Sequence, residues 1–107
     1  MVSFTKTMAL ELAPHRIRVN ALAPDICSTE GLAAVVPPGE EKRFKDIVPL
    51  GRAGHVDDVA GAAVFLASDM ASYVTGVLLP VDGGTAAAGG WYHDDGGWLL
   101  GPKRERA

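Results

Sequence analysis

An α/β fold with two parallel strands is the class this chain predicts, and three stretches carry the prediction. Ile17 to Ala23 sets Ile17, Val19, Ala21 and Ala23 on one face and Arg18, Asn20 and Leu22 on the other, the period of a mostly buried strand. His55 to Asp69 leads into apolar positions at Val56, Val59, Ala63, Leu66 and Met70, the spacing of one helical face, and predicts a helix over Val56 to Ser68. Val77 to Val81 is apolar on both sides, as a strand covered on both faces reads. Strand, helix and strand in that order form one βαβ unit, with a right-handed crossover and parallel strands expected.

The chain opens on a helix. Met1, Phe4, Met8 and Leu12 share a face, with Val2, Ala9 and Ala13 beside it, so a broad apolar stripe begins at the first residue. A helix ordinarily shows a Ser, Thr, Asp or Asn cap before its apolar run. Here Ser3 comes after the stripe has begun, which reads as a helix missing its start. Pro14 ends the helix, and the His15-Arg16 pair sits favourably near its last carbonyls. In the strand that follows, Asn20 is expected to hydrogen-bond a neighbouring loop, and Pro24 closes the strand.

Pro24 to Leu50 is a long irregular connection punctuated by Gly31, Pro37, Pro38, Gly39 and Pro49. Within it Glu40 to Ile47, apolar at Phe44 and Ile47 and otherwise mostly charged, predicts one or two helical turns. Connections this long in a compact domain are functional or disordered. Departure from the carboxyl end of a strand, where open α/β sheets bind ligands, favours a functional loop that closes over a small molecule. In the next helix Asp57 and Asp58 occupy the first turn, where unpaired N–H groups favour carboxylates. Gly61 weakens that helix by roughly 1 kcal/mol relative to Ala, so a close-packed neighbour is expected there. Pro80 cannot donate to a ladder and marks the second strand as an edge, which Asp82-Gly83-Gly84 then stops.

Composition narrows the function. A length of 107 residues allows one small domain, and 48% hydrophobic with 21% charged residues is ordinary for a soluble globular chain. A net charge of -3 gives no electrostatic case for nucleic acid, and Lys103, Arg104 and Arg106 read as a solvated end. A single cysteine, Cys27, rules out an internal disulfide and suits a reducing compartment. His15, His55 and His93 lack ligand spacing, so no metal site is expected. Neither a membrane span nor a signal peptide is expected, which leaves the cytoplasm as the location.

The blocks R-x-G-x-x-D-D-V-A from Arg52, F-L-A-S-D from Phe65, S-Y-V-T-G from Ser72 and V-D-G-G from Val81 stand in an order and spacing that resembles the C-terminal third of the short-chain dehydrogenase/reductase family. The resemblance covers Val2 to Gly84. It implies that the fold is the C-terminal part of a Rossmann-like doubly wound parallel sheet, over residues 1–84, and that the whole enzyme transfers hydride between NAD or NADP and an alcohol or carbonyl. APDICST, Ala23 to Thr29, is similar to the family's A-P-G-x-x-x-T segment, which lines the nicotinamide side of the cofactor site. By that likeness Pro24 matches the motif proline. Thr29 matches its threonine, whose hydroxyl and backbone hold the carboxamide, and Ile26 and Cys27 offer backbone groups between them. Asp25 stands where the family has Gly, a position at which Gly permits positive φ and which Asp tolerates better than most residues. Cys27 reads equally as a small buried apolar residue. Tyr73 lies in the S-Y-V-T-G block, a structural turn before the last strand in the family.

Two parts of the family's machinery have no counterpart. Dinucleotide binding on this fold needs a Gly-rich turn between a first strand and a helix N-terminus, and GGTAAAGG, from Gly83, follows the final strand without opening a clear helix. The family's catalytic Ser, and a Tyr-x-x-x-Lys pair carried on the helix with which this chain begins, are likewise not matched. No residue here is therefore assigned a catalytic role, and the chain resembles an enzyme cut just after its catalytic pair.

The remainder, residues 85–107, reads as an arm. TAAAGG is a flexible run, and Trp91-Tyr92 and Trp98-Leu99-Leu100 flank His93-Asp94-Asp95-Gly96-Gly97, a hairpin signal. Large apolar side chains each favour burial by roughly 1.5 to 3 kcal/mol, so the arm is expected to pack on a neighbouring subunit of a homo-oligomer. With two strands and two helices, the inner edge of Ile17 to Ala23 stays unpaired, and the isolated piece is expected to aggregate, dimerise through that edge or pack loosely. Two functions follow. The chain is the nicotinamide-side loop, substrate loop (24–50) and interface portion of an oxidoreductase, or it is a non-catalytic assembly fragment that docks on a full-length relative.

Overall fold

The computed structural model describes residues 1–94 and 96–100. Asp95 of the expected hairpin turn, and Pro102, Lys103, Arg104 and Arg106 of the expected solvated end, lie outside the described residues. In chain order the elements are α1 (Val2–Leu12), β1 (Ala21–Pro24), α2 (Glu30–Val35), α3 (Phe44–Ile47), α4 (Val56–Ala67), β2 (Leu78–Val81), α5 (Thr85–Ala88), β3 (Trp91–Asp94) and β4 (Gly97–Leu100), with 3-10 turns at Ala13–His15, Glu40–Arg43 and Asp69–Ala71. They fall into two compact units, one of Met1–Pro24 with Val56–Val81 and one of Asp25–His55 with the chain from Asp82 onward.

The first unit is the βαβ unit with α1 added. β1 and β2 pair in parallel, with Ala21 opposite Leu78 and Pro24 opposite Val81, and α4 packs on both strands. The ladder is shorter than the extended run that the alternation predicts. Opposite Ile17 to Asn20 lies a turn, so the bonds there come from single groups: Val19 N–H donates to Thr75 Oγ1 at 3.0 Å and Gly76 N–H to Val19 O at 2.7 Å. Asn20 completes the join as expected, its Nδ2 donating to Val74 O at 3.0 Å while its Oδ1 accepts from Val77 N–H at 3.1 Å. Arg18 adds guanidinium bonds to Val74 O and Ser68 O.

Burial departs from the apolar stripes in two places. On α1 the buried residues are Thr5 and Ala9, with Met8 and Leu12 half-buried, whereas Met1 and Phe4 are exposed. At Ala9 a small residue suits the site because Gly76, held at φ 79, comes close: a Cβ built on it would lie 3.5 Å from the Ala9 Cβ, while the buried Thr5 hydroxyl donates to Met1 O at 2.8 Å. On α4, Leu66 is buried and Val59 and Ala62 half-buried, while Val56, Ala63 and Met70 of the expected face are exposed. The close-packing role expected of Gly61 is overturned, since a Cβ there would meet nothing within 4 Å.

The second unit holds most of the long connection and the end of the chain. The Glu40 to Ile47 turns form as expected, but α2 was not anticipated in a loop punctuated by Gly and Pro. Its cause is local: Thr29 Oγ1 accepts from Leu32 N–H at 3.1 Å, an N-cap that fixes the first turn. The expected flexible run also forms one helical turn, α5, because the Asp82 carboxylate accepts from Gly84 N–H at 2.9 Å and Ala86 N–H at 3.1 Å. β3 and β4 make the expected antiparallel hairpin, pairing Trp91 with Leu100 and Asp94 with Gly97, and β3 packs on α3. Val48 and Tyr92 are the buried apolar residues of this unit among those described.

Candidate functional site

The chain leaves β1 at Pro24 and passes into a tight loop held by one bond pair. Gly54 N–H donates to Ile26 O at 2.9 Å and Ser28 N–H donates to Gly54 O at 2.7 Å, a one-residue parallel bridge between Cys27 and Gly54. In such a bridge the flanking residues make both bonds, so the N–H and C=O of Cys27 itself point to the side away from Gly54. One donor and one acceptor are thereby presented together from a fixed backbone. Gly54 is the glycine of the R-A-G turn before α4, which the sequence marks as a motif without showing its partner.

Ile26 sits at φ 45, in the left-handed region, and Asp25 does not. The departure from glycine at position 25 thus calls for no left-handed backbone there. The strain instead falls on a β-branched residue, at a cost of about 1–3 kcal/mol, and such outliers concentrate at ligand-contacting sites. Asp25 is exposed, Ile26 and Cys27 are half-buried, and the Cys27 thiol lies 3.8 Å from Asp25 O. Thr29 is exposed, and its cap bond to Leu32 uses an oxygen lone pair, which leaves the hydroxyl proton able to donate elsewhere. Of the predicted site residues, Ile26, Cys27 and Thr29 therefore stand on one bridged loop. Pro24 ends the strand that feeds it, pairing with Val81.

Beside this loop the second unit forms a cavity of about 640 Å³ that is open to solvent on one side. Ser28 and Thr29 line it together with Leu32 and Val36 of α2 and its C-cap, Phe44 and Lys45 of α3, and Lys42 and Arg52. Neither lysine was a candidate from the sequence, where both belong to a charged run. Tyr73 is 100% exposed, just after the Asp69–Ala71 turn. Among the described residues no group of three or more His, Cys, Asp or Glu side chains converges on a metal-sized site, and no helix is long and apolar enough to cross a membrane.

Against known proteins, the family described as enoyl-(acyl carrier protein) reductase matches residues 1–86. A 3alpha-hydroxysteroid dehydrogenase of Mediterraneibacter gnavus is 53% identical over 79 residues, covering 74% of this chain and 31% of that protein. The chain belongs to the short-chain dehydrogenase/reductase family. Two solved short-chain dehydrogenase/reductase structures superpose on it. One is the 3-ketoacyl-(acyl-carrier-protein) reductase of Brucella melitensis complexed with NADH, at TM-score 0.70 and 48% identity over 79% of this chain and 33% of that one. The other is a putative 2-deoxy-d-gluconate 3-dehydrogenase of Agrobacterium tumefaciens with bound NADP, at TM-score 0.73 and 44% identity over 80% and 35%. The α/β architecture with a parallel sheet is thus that of a piece of a Rossmann-type short-chain dehydrogenase/reductase. The chain spans about a third of the length of the relatives it matches.

Proposed function

We propose that this chain forms the nicotinamide-side and substrate-loop portion of an NAD(P)-dependent short-chain oxidoreductase. The observation that carries the reading is the outward-turned N–H and C=O of Cys27 on the loop that follows β1. A primary carboxamide offers one acceptor and one donor group, the complement of that pair, and the Thr29 hydroxyl adds a second donor. The residues present fit the nicotinamide end of the cofactor and not its pyrophosphate. After Gly83-Gly84 the N–H groups opening α5 are already taken up by the Asp82 carboxylate, whose charge repels an anion. When bound, NAD or NADP supplies or accepts the hydride exchanged with an alcohol or carbonyl. The part of this chain is to orient the carboxamide through Ile26, Cys27 and Thr29, beside Pro24 and Asp25, and to cover the substrate with residues 24–50.

Residues 1–84 act as part of the sheet domain and 85–107 as an arm that packs on another subunit in a cytoplasmic homo-oligomer. Trp91, Trp98, Leu99 and Leu100 all remain substantially exposed, which supports an interface there and also the second reading, a fragment docking on a full-length relative. Shortening the chain at Gly90 is expected to turn a multimer into a monomer by light scattering; an unchanged number of subunits removes the support for the homo-oligomer arm. The cofactor reading is tested by titrating the chain with nicotinamide mononucleotide and with nicotinic acid mononucleotide while following backbone amides by NMR. The amide form is expected to move the Cys27 and Thr29 resonances, and the acid form, which has no N–H for Cys27 O, to move them far less. Equal responses, or none in a dispersed spectrum, would overturn it.

A further inference from the structure

The cavity beside Thr29 carries an inference that rests on the oxidoreductase reading and names the substrate class for it. We propose that it takes an amphiphilic anion: an apolar body ending in a carboxylate or phosphate. Its volume of about 640 Å³ lies within the ~300–1,000 Å³ of small-molecule sites. Leu32, Val36 and Phe44, all half-buried, supply an apolar wall, while Lys42 and Lys45 line the same space. The two lysines are three residues apart across the junction of the Glu40–Arg43 turn with α3, the spacing that brings helical side chains to one side. A polyol laid against the Leu32, Val36 and Phe44 wall would leave hydroxyls there without partners, since the polar groups of the lining are the side chains of Ser28, Thr29, Lys42, Lys45 and Arg52. A neutral hydrocarbon would fill the wall and leave the ammonium groups without use. An anion on an apolar body engages both, with its reacting end free to lie by Ser28 and Thr29, which share the cavity with the lysines.

The test uses the 107-residue chain with decanoate, decyl phosphate and uncharged decanol, each below its micelle concentration, followed by calorimetry and side-chain NMR. Both anions are expected to bind, to move the Leu32, Val36 and Phe44 resonances, and to weaken as salt rises. Decanol is expected to bind about tenfold more weakly and without salt dependence, since the charge of two solvent-exposed lysines adds only modestly. The surface double variant Lys42→Gln/Lys45→Gln should weaken decanoate severalfold toward the level of decanol, with Arg52 the cation left in the lining, and leave decanol unchanged. Decanol binding as tightly as decanoate, a double variant that binds decanoate unchanged, or shifts that fall on Trp91 and Trp98 would overturn the proposal. Running nicotinamide mononucleotide on the same sample separates the two readings. A Cys27 response without decanoate binding sinks the substrate class alone, whereas lysine-dependent decanoate binding without a Cys27 response sinks the cofactor reading and leaves an anionic amphiphile site.

Discussion

Replacing Asn20 by Ala removes the two bonds that its own side chain contributes between the 74–77 turn and the extended run before β1, the 3.0 Å bond to Val74 O and the 3.1 Å bond from Val77 N–H. A typical hydrogen bond is worth about 0.5–1.5 kcal/mol net, so the pair contributes about 1–3 kcal/mol. The losses are unequal. Val74 O keeps the Arg18 guanidinium at 3.2 Å, whereas Val77 N–H loses the acceptor it has in the fold. Both residues are half-buried, so water reaches part of the gap, and about 2 kcal/mol is the expected net cost. At 1.4 kcal/mol per decade this is about a thirtyfold change in the opening equilibrium. Amide hydrogen exchange reads it directly. Val77 is expected to exchange about thirtyfold faster in Asn20→Ala, Ala21, whose N–H donates to Val77 O at 2.9 Å, to follow it, and Leu32 in the other unit to stay as it was. Unchanged protection at Val77 would refute the clamp, and Asn20→Asp, which keeps the acceptor but loses the donor, should fall between.

Gly83→Ala is expected to cost about 2 kcal/mol, because φ is +63 and the new Cβ would lie 2.5 Å from Val48 Cγ1, in a residue only 2% exposed. The Leu50 amide, which donates to Gly83 O, should lose protection with it. Gly61→Ala goes the other way: with nothing within 4 Å of the added methyl, it should raise stability to urea by up to about 1 kcal/mol. Thr29→Ala should cost about 1 kcal/mol of α2 stability, read from exchange at Ala33, while Thr29→Ser should retain most of it. Incubated with NAD or NADP and simple alcohols, the chain by itself is expected to form no reduced nicotinamide. Measured turnover would mean that its own residues perform the reaction, against the reading that they only complete the site.

The βαβ unit was legible because each of its elements announces itself within its own residues. Val56 to Ala67 carries a helical period and two carboxylates in its first turn, and Val77 to Val81 is a short apolar run bounded by turn residues; it forms the strand, but not one covered on both faces, since Leu78 and Pro80 are exposed. The hairpin was legible for the same reason, from apolar runs flanking an Asp-Gly centre. The candidate site was legible only as a string of residues. That Ile26 rather than Asp25 bears the left-handed backbone depends on Gly54, whose N–H draws on Ile26 O from 28 positions along the chain. α2 could have been read from Thr29-Glu30, a cap followed by an acidic first turn, had the surrounding Gly and Pro residues not pointed to an irregular loop.

Local chemistry in this sequence determines which stretches coil, extend and turn, and its ordered blocks determine the family, because periods, caps and turn residues act over a few neighbours. Tertiary structure alone decides which side of each element is covered. Thr5 and Ala9 are buried where Met1 and Phe4 would have been chosen by hydrophobicity, and at Ala9 the Gly76 turn lies in contact with the small side chain. It also brings Lys42 and Lys45 to the same cavity as Thr29 and turns the Cys27 amide outward. Contacts between distant residues select those arrangements, and no pattern among adjacent residues encodes them.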